Sequence, residues 1–333
     1  MILDLEVESE PKQKEISEDY TIVESEGSNI KIYEKGIAGQ IDYPCICAKF
    51  DENDEYFASC YNNGQIEMHD AENCEYICHL EDSEEETKKP ICTMLKWKPG
   101  EYTDALLAAD VKGNIRKYSA KEKKQVDVLE TEEGEDNRLF ALDFSNTGET
   151  FATGGTDHYV RVYDEAAMKL INTMDPFYTG KAGHSNRIFW VKYNRQDTNL
   201  ICSGGWDNTI IINDIRQKGP VGGWLGAYVW GDALEFYGNY ILSGSWRTEK
   251  QLQLWDVRKE EKVQDIDWNE GDTFESKDPI MIFCLAQSRS DSMNNFMIAG
   301  GSESNELRVF NDDMKPVVNI TDVSRSIYTC DIS

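Results

Sequence analysis

Apolar and polar residues alternate in short runs along nearly the whole chain, and the runs recur in a fixed order. A longer apolar run comes first: CICAKF (45–50), CTMLKW (92–97), RLFALDF (138–144), RIFWVKY (187–193), DALEF (232–236) and FCLAQS (283–288). A run ending in small residues follows, as in FASC, LAAD, TGGTD, SGGWD, SGS and AGGS. After a tight turn comes a period-2 run that often closes on Asp: SNIKIYE (28–34), GQIEMHD (64–70), GNIRKYS (113–119), HYVRVYD (158–164), NTIIIND (208–214), KQLQLWD (250–256) and NELRVFN (305–311). Strict alternation of this kind predicts half-buried β-strands joined by turns. The last residues of successive copies lie 36 to 55 residues apart. The unit is therefore four strands, a to d, with the tight turn between b and c.

A four-stranded unit at this spacing resembles the WD-repeat family. The likeness runs from about residue 20 to 333 and rests on the number and order of degenerate copies. Trp255-Asp256 is the one true Trp-Asp, with Tyr163-Asp164, Asn213-Asp214 and His69-Asp70 standing in elsewhere, and Gly183-His184 is the one Gly-His. The resemblance implies an all-β fold: a single seven-bladed β-propeller of four-stranded antiparallel blades. It also implies that His184 bonds within its blade to Asp207, so that His184, Asp207, Trp255 and Asp256 are structural.

The two ends suggest how such a ring closes. SRSIYTCDIS (324–333) reads as a lone strand a, and residues 19–41 read as strands b, c and d with no a before them. The N-terminal strands and the C-terminal strand are expected to pair into the seventh blade, which removes an open seam. The expected blades are then about 42–80, 90–129, 137–174, 184–225, 230–268 and 279–320, plus 324–333 with 19–41. Residues 1–18 are Glu-rich and read as an acidic, flexible tail or a partner-binding arm.

Charge narrows the partners. The chain has 34 Lys+Arg against 62 Asp+Glu, a formal net of −28. Such a surface repels phosphate backbones and anionic membranes, so neither nucleic acid nor membrane is expected as partner. The nine cysteines are odd in number, irregularly spaced and mostly within apolar runs. They read as small buried hydrophobes of a reducing compartment rather than a disulfide framework. The start, MILDLEVESE, lacks the basic and apolar regions of a secretory leader. A cytoplasmic location is expected, with cytoskeletal or ciliary association compatible.

Candidate chemistry is sparse. Gly180-Lys181 lacks the other residues of a phosphate loop. Cys74, Cys78 and His79 lack the spacing and the second half of a zinc site. No nucleophile stands out beside His69, His79 or His158. The expectation is no catalysis, no metal and no cofactor.

Antiparallel blades place d–a loops and b–c turns on one face, a–b and c–d turns on the other. Three d–a loops are acidic: 81–89, 130–137 and 269–278. On the same face lie Arg138 and Phe140, Arg187 and Phe189, Trp206 and Asp207, Trp230, Trp246 and Arg247, and Arg325 and Tyr328. Large amphipathic side chains anchor interfaces. The expected protein-binding set is therefore Arg138, Arg187, Trp206, Asp207, Trp230, Trp246, Arg247 and Arg325, taking a basic or extended segment. Phe140, Phe189 and Tyr328 are expected to pack between blades.

The leading expectation is a protein–protein interaction scaffold, a monomeric propeller within a larger complex. A second reading comes from WDVR (255–258), which resembles the WDxR box of substrate receptors for cullin-4 ubiquitin ligases. That resemblance implies adaptor contacts from Arg258 and, in NDIR (213–216), Arg216. The first copy departs in having Asn213 for the aromatic, the second in having Arg247 for the usual turn Asp. A structural docking subunit of a cytoskeletal or ciliary assembly is the third.

Overall fold

The residue that ends strand c decides where each hairpin folds. In the computed structural model the Asp70 carboxylate accepts the backbone N–H groups of Glu72 and Asn73, both at 2.9 Å. Asp164 accepts from Ala167, Asp214 from Arg216, and Asp256 from Arg258 and Lys259. Ser119 and Asn311 do the same work in the other two hairpins. Short polar side chains that bond the backbone two or three residues on are turn makers. Each turn also holds one residue at positive φ before strand d: Cys74, Lys123, Met168, Lys218, Glu260 and Met314. The recurring Asp of the sequence pattern is thus a hairpin cap.

The structure describes residues 2–7, 21–24, 30–36, 43–80, 89–100, 104–131, 136–268, 280–287 and 296–332. Among them are six blades of four consecutive antiparallel strands. Blade 1 is Cys45–Phe50, Tyr56–Tyr61, Ile66–Asp70 and Tyr76–His79. Blade 2 is Cys92–Trp97, Ala105–Asp110, Asn114–Ser119 and Lys124–Glu130. Blade 3 is Leu139–Phe144, Thr150–Gly155, Arg161–Asp164 and Lys169–Thr173. Blade 4 is Ile188–Tyr193, Leu200–Gly205, Thr209–Asp214 and Gly219–Leu225. Blade 5 is Leu234–Tyr237, Tyr240–Gly244, Leu252–Asp256 and Glu261–Ile266. Blade 6 is Met281–Gln287, Met297–Ser302, Leu307–Phe310 and Pro316–Thr321. First strands of neighbouring blades touch one another, so strand a is innermost. Strands a to c are mostly buried and strand d is largely exposed, as in Lys124–Glu130.

Neighbouring blades are joined by side chains that the apolar pattern hides. Trp97 donates to Lys49 O at 2.8 Å, and Trp190 to Leu234 O at 2.9 Å. Near the far end of strand a stand Lys49, Lys96, Asp143, Lys192 and Glu235. Lys96 pairs with Asp143 at 3.1 Å and Lys192 with Glu235 at 2.8 Å. Lys49 reaches Asp232 of blade 5 at 2.6 Å. Buried charges persist only when paired in this way.

The expected seventh blade is corrected here: the described residues form six. Thr21–Glu24 does not pair with 324–333 but adds to the outside of blade 6, with Thr21 opposite Thr321 and Glu24 opposite Val318. The outer edge of Pro316–Thr321 offers an open row of backbone donors and acceptors, and a strand that adds there satisfies them. Ile30–Gly36 pairs instead with Ile2–Val7. That partner strand lies inside the expected tail, and residues 8–18 lie outside the described residues.

The C-terminal segment is nevertheless seated like an inner strand. Ile327 donates its N–H to Gly301 O at 3.0 Å, as Ile282 of blade 6 donates to Ser245 O at 3.1 Å. A Cβ on Gly300 would meet Ile327, as one on Gly244 would meet Ile282. On its other side Asp331 accepts the Phe50 N–H at 2.9 Å, as Asp143 accepts the Tyr193 N–H at 2.8 Å. The segment links blade 6 to blade 1.

Candidate functional site: an aromatic arc at one mouth of the ring

A bulge at the start of strand a builds this face. Leu139 pairs with Gly155 and Ala141 with Gly154, so Phe140 is the extra residue. Phe189 and Phe283 are extra in the same way, between Ile188 and Trp190 and between Ile282 and Cys284. A bulged residue is released from the pleat and re-aimed. Its apolar predecessor stays between blades, fully buried at Leu139, Ile188 and Ile282. Blades 1 and 2 carry Ile46 and Thr93 at the equivalent bulges, so the aromatic surface is an arc and not a full circle.

Eight rings connect across this arc. Phe140 stacks on Phe189 at 4.7 Å, and Phe189 on Trp206 at 4.9 Å. Trp206 stacks on Tyr228, and Tyr228 on Trp246, each at 6.1 Å. Trp230 is the hub: it lies 4.2 Å from Trp246, 5.3 Å from Trp206, 5.6 Å from Phe283 and 6.1 Å from Phe189. Tyr328 meets Phe283 edge-on at 5.1 Å and is 49% exposed. The backbone holds the rings in place. Trp206 N–H donates to Arg187 O, Trp246 N–H to Tyr228 O, and Tyr228 N–H to Ser245 Oγ. Gly231, at φ 95°, permits the turn after Trp230, where a Cβ would strike Phe283 O at 2.6 Å.

Two guanidinium groups lie against the arc's rings. The Arg187 guanidinium sits 5.2 Å from the Trp206 ring centroid, and that of Arg247 lies 5.9 Å from Tyr228. The indole N–H groups of Trp97, Trp190, Trp255 and Trp268 all have acceptors. Those of Trp206 and Trp246 on the arc, and of Trp224 in strand d of blade 4, are shielded from solvent and have none among the described residues. A buried donor without an acceptor costs about 1–3 kcal/mol, so the two on the arc favour a bound acceptor.

The expected site residues thus divide by place. Arg187, Trp206, Trp230, Trp246 and Arg247 converge. Arg138 and Arg325 are exposed, two residues before Phe140 and three before Tyr328, at the ends of the arc. Asp207 is committed elsewhere: it binds His184 Nδ1 at 2.9 Å, Ser185 N–H and Thr209. Burial alone would raise its carboxyl, but His184 and these hydrogen bonds hold it down at about 2. His184 Nε2 meets Ser203 Oγ at 2.8 Å, to which Asn213 Nδ2 also donates. Ser203, His184 and Asp207 have the connectivity of a hydrolytic triad. Ser203 is 0% exposed, so no substrate reaches it and the network ties strands b and c to the d–a loop. In blade 5 Trp255 donates to Ser243 Oγ at 2.9 Å, and Asp256 caps its hairpin.

The opposite face carries Arg216 and Arg258. Arg216 forks onto Asp214, Nε to Oδ1 at 2.9 Å and Nη2 to Oδ2 at 2.7 Å. Arg258 lies 3.8 Å from Asp256 and is the looser of the two. Among the described residues no trio of His, Cys, Asp or Glu is arranged to hold a metal. The acidic d–a loops fall at 81–88, 132–135 and 269–279 largely outside the described residues.

Tyr228 and Phe283 were missed by reasoning from sequence. A signal for Phe283 was present: Leu139-Phe140, Ile188-Phe189, Ile282-Phe283 and Ile327-Tyr328 repeat one dipeptide, an aliphatic residue for the blade interface and an aromatic one for the mouth.

The chain matches the family described as "WD domain, G-beta repeat" over residues 124–164 and 175–214. Each match runs up to the end of a strand c, in blades 3 and 4; the first opens on strand d of blade 2, so the sequence repeat is offset from the blade. The chain is 24% identical to the APC/C activator protein CDH1 of Saccharomyces cerevisiae over 198 residues, 57% of this chain and 31% of that protein. It is 28% identical to Protein SOF1 of the same yeast over 113 residues, 32% of this chain and 21% of that protein. The chain spans less than a third of the length of either relative. The chain therefore carries WD repeats over residues 124–164 and 175–214, on a β-propeller of four-stranded antiparallel blades.

Proposed function

We propose that the chain is a non-enzymatic docking scaffold that holds an extended segment of a partner protein across the aromatic arc. The observation that carries this reading is the set of eight connected rings, in which the Trp206 and Trp246 indole N–H groups have no acceptor among the described residues. Aromatic and arginine anchors on a rigid frame are the anatomy of binding hot spots. An extended segment supplies backbone carbonyls for both indoles. Affinity purification with mass spectrometry on wild type beside Trp206→Ala/Trp246→Ala tests it. Loss of a stoichiometric partner from the double variant alone supports the reading; an unchanged partner set refutes it.

A second reading follows from the likeness to an APC/C activator protein, which covers 57% of this chain. A chain acting on a large assembly in that manner would use a second face, and Arg258, the less committed of the two hairpin arginines, is the residue to test there. The same purification with Arg258→Ala separates the cullin-adaptor form of this idea from arc docking.

We also infer that the C-terminal segment bridges blades 6 and 1 without forming a blade of its own. The matched bonds of Ile327 and Ile282, and of Asp331 and Asp143, support this. Deletion of 324–333 is expected to destabilise blades 1 and 6 first, read by hydrogen exchange.

A further inference from the structure

We infer that the outer edge of blade 4, Gly219–Leu225, is a second docking surface, which takes an uncharged extended segment of a partner protein as the fifth strand of its sheet. It lies on the outer wall of the ring, whereas the arc lies at the mouth.

The molecule holds its own precedent. An outer strand leaves one row of backbone N–H and C=O groups without a neighbour, and proteins blunt such rows with charge or by keeping the strand short. The outer strands of blades 2 and 5, KQVDVLE and EKVQDI, carry three charged residues each. That of blade 3, KLINT, opens on Lys169 and has five residues, and that of blade 1, YICH, has four. Two longer outer strands hold no charge: PVVNIT in blade 6 and GPVGGWL in blade 4. The first is covered, because Thr21–Glu24 pairs along Val318–Thr321. The second has the same register. Pro220 lies opposite Asn213 as Pro316 lies opposite Phe310, and Gly222 lies opposite Ile212 as Val318 lies opposite Val309. The stretch of blade 4 that corresponds to the covered one is therefore Gly222–Leu225.

Among the described residues, the backbone groups of 220–225 make no hydrogen bond outside their own blade. A single helical turn, Pro176–Thr179, packs beside the start of the strand, where the Asp175 N–H donates to Lys218 O at 2.9 Å. Asp175 Oδ1 caps the turn by accepting the Phe177 N–H at 2.9 Å, and Gly180 closes it at φ 66°. The turn holds Phe177 85% and Tyr178 63% exposed, and Leu225 at the far end of the strand is 79% exposed. These are the three most exposed large apolar side chains among the described residues. Between them the strand is bare: a Cβ on Gly222 would meet only Glu260, at 3.6 Å. Backbone without side chains lets a second chain approach closely.

Residues 219–225 offer no charge to pair with a charged side chain, so apolar residues at alternate positions fit. Ile22 is of this kind on blade 6, where it packs against Ile298, Leu307, Val309, Val318 and Ile320. A second copy is disfavoured as occupant, since each copy carries a net charge of −28.

Display selection of random linear peptides tests this, run on the full-length wild type, Gly222→Lys/Leu225→Lys and Trp206→Ala/Trp246→Ala. The edge substitutions fall on open positions and are expected to leave the thermal melt unchanged. Wild type is expected to enrich peptides with β-branched or aromatic residues at alternate positions and no Pro. The edge variant is expected to bind them about tenfold or more weakly, the arc variant as wild type does, and bound peptide to slow hydrogen exchange in 220–225. No enriched peptide of this pattern, equal binding by the edge variant, or protection that leaves 220–225 unchanged would overturn the inference. A wild-type dimer that the edge variant loses would overturn the choice of occupant in favour of a second copy.

Discussion

Asp207→Asn removes the charge that holds His184 without changing side-chain volume, and its cost can be worked from titration. The Asp207 carboxyl sits at about 2 in the folded chain against an ordinary 3.8. Its side chain is only 3% exposed, so solvent screening is slight. One pKa unit is worth about 1.4 kcal/mol, giving roughly 2–3 kcal/mol of stability from the ionised form. The sign follows from linkage: a depressed carboxyl binds protons more weakly in the folded state, so the stability is full above the unfolded value and is lost as pH falls through about 4 to 2. Urea unfolding of wild type and Asp207→Asn at pH 6.5 and at pH 2.5 reads it. The gap between the two is expected near 2–3 kcal/mol at pH 6.5 and to shrink well below half of that at pH 2.5. A gap independent of pH, or one within about 0.5 kcal/mol at pH 6.5, would refute the view that this charge ties the blade together.

Other perturbations separate the remaining contacts. Gly244→Ala places a Cβ 2.4 Å from Ile282 Cγ2, whereas Gly300→Ala meets Ile327 Cγ2 at 3.0 Å; thermal melts are expected to show the first destabilised by about 1–3 kcal/mol and the second by less. Trp230→Ala empties the hub of the arc and is expected to cost about 2–3 kcal/mol while also abolishing partner capture, whereas Arg247→Ala leaves stability within about 0.5 kcal/mol. Burial pushes the Cys47 thiol to about 12 and the Cys60 and Cys202 thiols well above their ordinary value; mass spectrometry after alkylation at pH 8 is expected to find these three unlabelled in the native chain and labelled in denaturant.

The fold was largely legible because a blade is a local object. Period-2 runs, tight turns and a capping Asp at the end of strand c are all written within 45 residues or so, and six sheets follow them in order. The ends were not legible, because pairing there is a competition. Thr21–Glu24 had two open edges to choose between, and the row presented by Pro316–Thr321 took it. Nor did polarity alone mark Ile2–Val7 as a strand beside an acidic tail, although ILDLEV alternates. At the site, turn residues such as Trp206 and Trp246 could be placed on a face by strand count. Phe140 and Phe189 occupy the extra position of a strand-a bulge, which a strand pattern does not announce. Tyr228 sits in an irregular loop where periodicity gives no direction.

Hydrogen exchange of the full chain with and without its captured partner tests the central claim most directly. The account predicts slowed exchange in residues 187–189, 226–231 and 245–248, with the c–d hairpins at 215–218 and 257–260 unchanged. Protection confined to those hairpins, with the arc exchanging as in the free chain, would contradict it.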